Sequence, residues 1–317
     1  MVDPITRLET FLSGHSVMGE SAWLEQRILS EDVFAVSYDT VDDIGRARLK
    51  TCMAGLFDAY PPTPTPEICI AKTSPSGQGT YCIEKPHDVC VVAFNDRFQS
   101  PARLLACLIP AVTARIPLVL VVGIGMEYAN WPPALVVAME LAGIEAVLSL
   151  EQEMWATFLT HVAGVSDVCI ITPQHSFFES HDLASACRSL PTWQPTMHPG
   201  VGIIAEEQQV DEETLRFCHA GESIQQLHAE MFGRASGSSC TQNVYEDLPG
   251  LLAIASEYDP TSFMHASSLV VQSGRESDFI WPELSSSFFR STRRCFLAKS
   301  MATLAMPTMK TYSISPE

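Results

Sequence analysis

Basic residues are scarce in this chain: 19 lysines and arginines stand against 37 aspartates and glutamates, a formal net charge of −18. A surface of that sign repels phosphodiester backbones and anionic lipid, which argues against nucleic-acid and membrane-surface partners and favours solubility. Long hydrophobic runs are missing as well. No stretch reaches the roughly 18 uncharged apolar residues that a membrane span needs. Met1 to Gly14 carries Asp3, Arg7 and Glu9, where a secretory leader would be apolar. The expected location is the cytoplasm. The ten cysteines include no C-x-x-C pair, and Cys90, Cys107 and Cys169 fall inside apolar segments as small buried hydrophobes. That is the usage of a reducing compartment and not of a disulfide framework. Internal repeats and low-complexity segments are absent too.

The region from Asp88 to Thr172 is dense in regular pattern. Asp88-Val-Cys-Val-Val-Ala-Phe94, Leu118-Val-Leu-Val-Val122, Glu145-Ala-Val-Leu-Ser-Leu150 and Asp167-Val-Cys-Ile-Ile-Thr172 read as four short strands. Between them Pro101 to Arg115, Pro132 to Gly143 and Glu151 to Val162 read as helices. Near-continuous apolar strands separated by helices of this length are what a parallel sheet covered on both faces requires. The fold class is therefore α/β: a doubly wound, mainly parallel, Rossmann-like sheet, which places its ligand outside the carboxyl ends of the strands.

Around this core Ile5 to Leu12 and Ala22 to Leu29 suggest short helices, and Asp42 to Tyr60 a longer one stopped by Pro61-Pro-Thr-Pro-Thr-Pro66. Glu67 to Thr73 and Thr80 to Glu84 suggest a β-hairpin. Beyond Thr172 the prolines 173, 191, 195 and 199 break the pattern, with one helix near Asp182 to Ser189. A strand is expected at Gly200 to Ala205 and a long helix at Val210 to Phe232, entered through Asp211-Glu-Glu213. Ser239 to Tyr245, a helix at Leu248 to Glu257 and a strand at Ser268 to Gln272 complete a second, smaller α/β domain. The expected organisation is residues 1–198 for the N-terminal helices, hairpin and nucleotide-binding-type domain, 199–290 for the smaller catalytic-type domain, and 291–317 for a C-terminal tail.

Several residues carry candidate chemistry. Cys240, in Gly237-Ser-Ser-Cys-Thr241, would be an accessible thiolate on a loop rich in backbone donors, suited to attack an aldehyde or thioester carbonyl. It is equally one of ten cysteines in an ordinary loop. Gly123-Ile-Gly125, at the end of the second strand, would let a backbone approach a phosphate or ribose closely. A tight turn into Trp131-Pro-Pro133 explains it as well. His175 and His181, flanking Phe177-Phe178, could line a cleft, though loop histidines are commonly solvated.

Asp88 to Pro101, Leu104-Leu-Ala-Cys-Leu-Ile-Pro-Ala-Val-Thr-Ala114, Leu118 to Val122 and Leu141-Ala-Gly-Ile-Glu145 together resemble the nucleotide-binding part of the aldehyde dehydrogenase-like superfamily. Histidinol dehydrogenases share the helix ending in Ile-Pro-Ala and the Leu-Ala-Gly close. Aldehyde dehydrogenases and acyl-CoA reductases share an Asn in the first turn, here Asn95, and a catalytic cysteine beyond an Ile-Ile strand, here Ile203-Ile-Ala205 and Cys240. The resemblance spans roughly Asp88 to Asp259 as pattern, with few identities. It implies an NAD(P)-linked oxidoreductase acting on an aldehyde, acyl thioester or amino alcohol, with NAD or NADP as cofactor and a small-molecule substrate. Cys240 would be the nucleophile and Asn95 the donor to the developing oxyanion. It also implies a homodimer. From the histidinol dehydrogenase side it implies a zinc held partly by a Gln-x-x-His step, which Gln225-Gln-Leu-His228 matches if both lie on one helix face.

The chain departs from the pattern at three points. The family's general base precedes the Ile-Ile strand, where this chain has His198-Pro-Gly200; Glu206 and Glu207 follow the strand instead. The Glu-His pair of histidinol dehydrogenases maps to Pro260-Thr-Ser262. The lysine that binds the adenosine ribose is missing, since no lysine lies between Lys85 and Lys299. These losses favour an alternative: a non-catalytic relative that keeps the interdomain cleft to bind a ligand or a partner.

Overall fold

Two short helices precede the sheets. In the computed structural model, which describes residues 26–62, 67–76, 78–127, 130–165, 167–175, 190–231 and 248–297, α1 is Glu31–Thr40 and α2 is Asp43–Ala59. Asp42 caps α2 by accepting from the Gly45 amide at 2.7 Å. Leu49, Cys52 and Leu56, spaced three and four apart, form its buried stripe. Only α2 was expected. The end of the proposed helix at Ala22 to Leu29 is not helical where described: Gln26 and Arg27 form a turn and Ile28 pairs antiparallel with Leu148.

Strands β1 (Ile68–Thr73) and β2 (Gly79–Pro86) form the expected hairpin. The core then begins with β3 (Val89–Asn95), α3 (Pro101–Thr113), β4 (Leu118–Ile124), α4 (Pro133–Leu141), β5 (Val147–Leu150), α5 (Trp155–Val165), β6 (Val168–Ile171) and β7 (Thr192–Trp193). The sheet order is β5-β4-β3-β6-β7 and every pairing is parallel. Alternate side chains explain the double winding. Cys90, Val92, Phe94, Val119 and Val121 pack with α3 and α4 on one face, whereas Val89, Val91, Leu118, Leu120 and Val168 pack on Trp155, Phe158 and Val162 of α5 on the other. Strands buried on both faces must be apolar at every position, which is why they were legible.

A second parallel sheet follows, from β8 (Val201–Ile204), α6 (Glu212–Cys218), β9 (Ile224–Gln226), β10 (Leu251–Ile254) and β11 (Leu269–Gln272), in the order β11-β10-β8-β9. Two expectations are corrected here. The helix proposed for Val210 to Phe232 stops at Cys218. Gly221, at φ +84°, turns the chain into β9, a left-handed position that ends a helix. The helix proposed for Leu248 to Glu257 is instead β10, at the centre of the sheet and wholly buried. A four-residue apolar run carries no periodicity that separates strand from helix. Gly250 marks the strand's entry, because a Cβ there would lie 2.2 Å from the His198 carbonyl oxygen.

The chain closes on β12 (Arg290–Leu297), which pairs antiparallel with β2 to give a three-stranded sheet β1-β2-β12. Among the described residues no helix is long and apolar enough to cross a membrane. The proposed elements at Ile5 to Leu12, Asp182 to Ser189 and Ser239 to Tyr245 lie outside the described residues.

Candidate functional site

In an open parallel sheet the crevice forms where successive connections leave in opposite directions. Here that point lies between β3 and β6, because β4 and β5 are added on one side and β6 and β7 on the other. Asn95 is the last residue of β3, and Gln174 lies three residues beyond β6. The Asn95 amide N–H donates to Gln174 Oε1 at 2.8 Å, and Gln174 Nε2 donates back to Asn95 Oδ1 at 2.8 Å. The Arg97 N–H donates to the same Oδ1 at 3.0 Å. Both lone pairs of that oxygen are used, so the Nδ2 edge is the one left to meet a ligand.

Behind this pair the second sheet is joined to the first through one continuous core. Ser100, wholly buried, caps α3 and donates through Oγ to the Cys218 carbonyl at 2.7 Å. Arg103, 1% exposed, pairs with Glu222 at 2.6 Å, donates to the Pro199 carbonyl and lies over the rings of Phe279 and Trp281 at 5.4 and 5.6 Å. Burial outweighs the pairing at both ends of this ion pair. It pulls the guanidinium down to about 10 and pushes the Glu222 carboxyl up, although each partner resists the shift in the other.

Two histidines border the junction. His219 is wholly buried against Phe279, at 5.3 Å between ring centroids. Burial first, and Arg103 second, hold it well below the usual imidazole range. His175 is displaced downward by the same two causes in the same order, with a bond to the Met197 backbone opposing them. Both are neutral at pH 7. Neither His219 ring nitrogen nor His175 Nε2 has a hydrogen-bond partner among the described residues.

The amino end of α3, where a Rossmann fold commonly seats a pyrophosphate, is closed. Ser100 to Arg103 are buried, and the turn at Gly221 packs on the β3–α3 loop, a Cβ there lying 3.4 Å from Gln99 Cβ and 3.6 Å from the Arg97 carbonyl oxygen. Gly123 does not offer its backbone to a phosphate either. Its Cα faces the Trp131 indole, and a Cβ would lie 2.5 Å from Trp131 Cζ2 and 2.8 Å from Met126 Sδ. Trp131 Nε1 is tied to Ser149 Oγ at 2.8 Å. Gly125 does sit at an open turn, at φ +69° with nothing within 4 Å, its N–H donating to the Leu150 carbonyl at 2.7 Å. It borders a cavity of about 580 Å³ at the carboxyl ends of β4 and β5, lined also by Arg27, Met126, Glu127, Ser149 and Glu151. Arg27 pairs with Glu151 at 2.6 Å.

The helical step proposed for zinc is not helical: Gln225 lies in β9 and His228 beyond it, both exposed. Residues three apart on a strand point to opposite faces. Among the described residues no group of three or more His, Cys, Asp or Glu side chains could hold a metal. Cys240 and its loop, and His181, lie outside the described residues. Glu206 lies in the turn after β8, its amide bonded to Gln209 Oε1 at 2.7 Å. His198 accepts from the Gly200 amide at 3.1 Å. Gln174, Arg103, His219 and Glu222 were not anticipated. Only Gln174 carried a local signal, as a polar residue directly after a buried strand and a proline.

No protein-family model matches the chain, and no curated protein matches it in sequence. Solved structures do. A histidinol dehydrogenase from Elizabethkingia anophelis is similar over 94% of this chain and 85% of its own, at 10% identity and a TM-score of 0.50. An indole-3-acetaldehyde dehydrogenase covers 93% and 82% at 14% identity, with a TM-score of 0.42. The chain has the aldehyde dehydrogenase-like fold, strongly diverged in sequence.

Proposed function

We propose that this protein is an oxidoreductase that acts on an aldehyde, acyl thioester or amino alcohol, with Cys240 as nucleophile and Asn95 as donor to the oxygen of the aldehyde or acyl carbonyl. The observation that carries this reading is the orientation of Asn95. Its Oδ1 is held by two donors, so Nδ2 is presented at the crevice to an oxygen that gains charge as a carbonyl is attacked. Preorganisation of this kind stabilises the tetrahedral state without reorganising the site. The small-molecule substrate and the cytoplasmic setting belong to the same proposal.

For NAD or NADP the residues fit one end of the molecule. Glu127 and Gly125 border the cavity beyond β4, and a carboxylate after the second strand suits ribose hydroxyls. The diphosphate gains nothing from α3, whose amino end is closed by the Cys218 carbonyl. A bound nicotinamide would supply the hydride acceptor or donor. The same closure, with no carboxylate or imidazole in the short turn Pro260–Ser262, favours a second reading: a ligand-binding relative without hydride transfer.

Two measurements separate the readings. Iodoacetamide is expected to label Cys240 faster than Cys90, Cys107 and Cys169, which are wholly buried, and saturating NAD⁺ or NADP⁺ is expected to slow it. The dinucleotide at 100 times its dissociation constant is expected to stabilise the fold by about 2.7 kcal/mol. No melting shift with either dinucleotide, together with unaltered labelling, favours the second reading.

A further inference from the structure

We propose that Gln174 is a positioning residue that acts with the Arg97 N–H to fix which edge of Asn95 faces the crevice, and thereby makes the site select hydrogen-bond acceptors over donors. The proposal rests on the carbonyl-binding reading of Asn95 for its functional meaning. Its structural content stands separately.

An amide side chain can present oxygen or nitrogen with almost the same shape, so its orientation has to be deduced from neighbours of fixed polarity. Two backbone N–H groups supply that polarity, because a backbone N–H can only donate. The Arg97 N–H at 3.0 Å requires that the atom of Asn95 facing it be Oδ1. The Asn95 N–H at 2.8 Å requires that the atom of Gln174 facing it be Oε1. With both oxygens assigned, the remaining contact at 2.8 Å runs from Gln174 Nε2 to Asn95 Oδ1. The three bonds are mutually consistent and join the carboxyl ends of two adjacent strands 79 residues apart in sequence. Asn95 Nδ2 has no hydrogen bond to a described residue and is not among the buried unpartnered atoms. A ligand atom placed there must accept: a carbonyl oxygen or an oxyanion fits, and an amine or hydroxyl proton does not.

Replacing Gln174 by glutamate keeps size and shape and changes polarity. An ionised carboxylate only accepts. It keeps the bond from the Asn95 N–H and repels Asn95 Oδ1; the charge-assisted bond from Asn95 Nδ2 to the carboxylate outweighs the neutral bond from the Arg97 N–H that the turn gives up, so the Asn95 amide turns over and presents oxygen to the crevice. Protonation restores a donor and with it the original orientation. Gln174→Met removes donor and acceptor together. The chain neighbours Asp96, Arg97 and His175, and the Arg103–Glu222 pair whose guanidinium acts on His175, are the same in every variant, so a transition present only in Gln174→Glu belongs to the introduced carboxyl.

The test is a pH series of ¹H–¹⁵N spectra of the full chain, following the side-chain NH₂ pair of Asn95. In Gln174→Glu the pair is expected to move with one carboxyl titration and to reach the wild-type position at its acid end. In Gln174→Met it is expected to lie away from wild type at every pH. If the Gln174→Met pair coincides with wild type, Gln174 does not orient Asn95 and the proposal is overturned, whether or not Gln174→Glu folds. A second arm titrates benzaldehyde labelled with ¹³C at the carbonyl. Asn95→Ala and Gln174→Met are each expected to weaken its binding at least tenfold. Unchanged binding by Asn95→Ala would refute the carbonyl reading while leaving the orienting role of Gln174, read from the spectra, intact. Loss in Asn95→Ala with none in Gln174→Met would refute the selection role of Gln174 alone.

Discussion

Ser100 Oγ donates to the main-chain carbonyl of Cys218 at 2.7 Å, joining the cap of α3 to the end of α6 across 118 residues of sequence. One hydroxyl thereby serves two elements. It accepts from the Arg103 N–H at the start of α3 and satisfies the carbonyl of the last residue of α6. Alanine at this position would leave both without a partner in a buried place. Ser100→Ala is expected to lower stability by roughly 1–3 kcal/mol, measured as a shift in the urea midpoint with unchanged slope. A cost below about 0.5 kcal/mol would mean that the junction repacks freely.

Stability is expected to fall as the pH drops below about 6.5, the ordinary imidazole value, because of His219 and His175. Both are held low in the fold, so below that pH the unfolded chain binds protons that the native state refuses. The slope of unfolding free energy with pH is then positive, at most about 1.4 kcal/mol per pH unit for each proton. Asp167 adds a separate loss at lower pH. Burial pushes it up, but the His87 imidazole bonded to it at 2.8 Å, with the nearby Ser291 hydroxyl and the Lys85 charge, outweighs that and holds it below the ordinary aspartate value, so its contribution is present above that value and disappears as the pH falls through the lowered one. Urea midpoints between pH 8 and 5 for wild type and His219→Phe check the first window. The variant should be flatter, and an identical slope would exclude His219.

Gly123→Ala is expected to cost roughly 1–3 kcal/mol through overpacking, since its Cβ would meet Trp131 and Met126. Gly125→Ala has open space and is expected to cost about 1 kcal/mol from its left-handed backbone alone. A double-mutant cycle of Gly123→Ala with Trp131→Leu distinguishes the causes. Most of the loss should be recovered in the double variant, and additivity would show that the indole is not what the glycine accommodates.

A homodimer is expected from the three-stranded sheet. The outer edges of β1 and β12 have no partner strand among the described residues, and Ile70 and Phe296 are exposed at 40% and 80%. Exposed apolar side chains on the outer strands of a sheet suit contact with a second copy. Light scattering over a concentration series should give twice the chain mass, and a monomer mass throughout would refute it.

What the residues alone determined is the doubly wound sheet. Strands enclosed on both faces must be apolar at each position, and crossovers must be helical. Both demands act on neighbours in sequence, so Asp88 to Phe94, Pro101 to Arg115 and Leu118 to Val122 were readable from the residues, within two residues of the elements observed. The second sheet was less readable because Leu251 to Ile254 is too short to show a period and because the helix after Asp211 stops at Cys218, where the turn through Gly221 packs on the β3–α3 loop. The chemistry at the crevice was decided last. Asn95 was nameable, yet its polarity depends on Gln174, and the closure of α3 depends on Cys218. Arg103 is tolerated inside only because Glu222, Pro199 and two aromatic rings arrive together. Each of these bonds joins residues 79 to 178 positions apart. Hydrogen-bond polarity and desolvation are properties of what is brought close in space, and no local pattern encodes them.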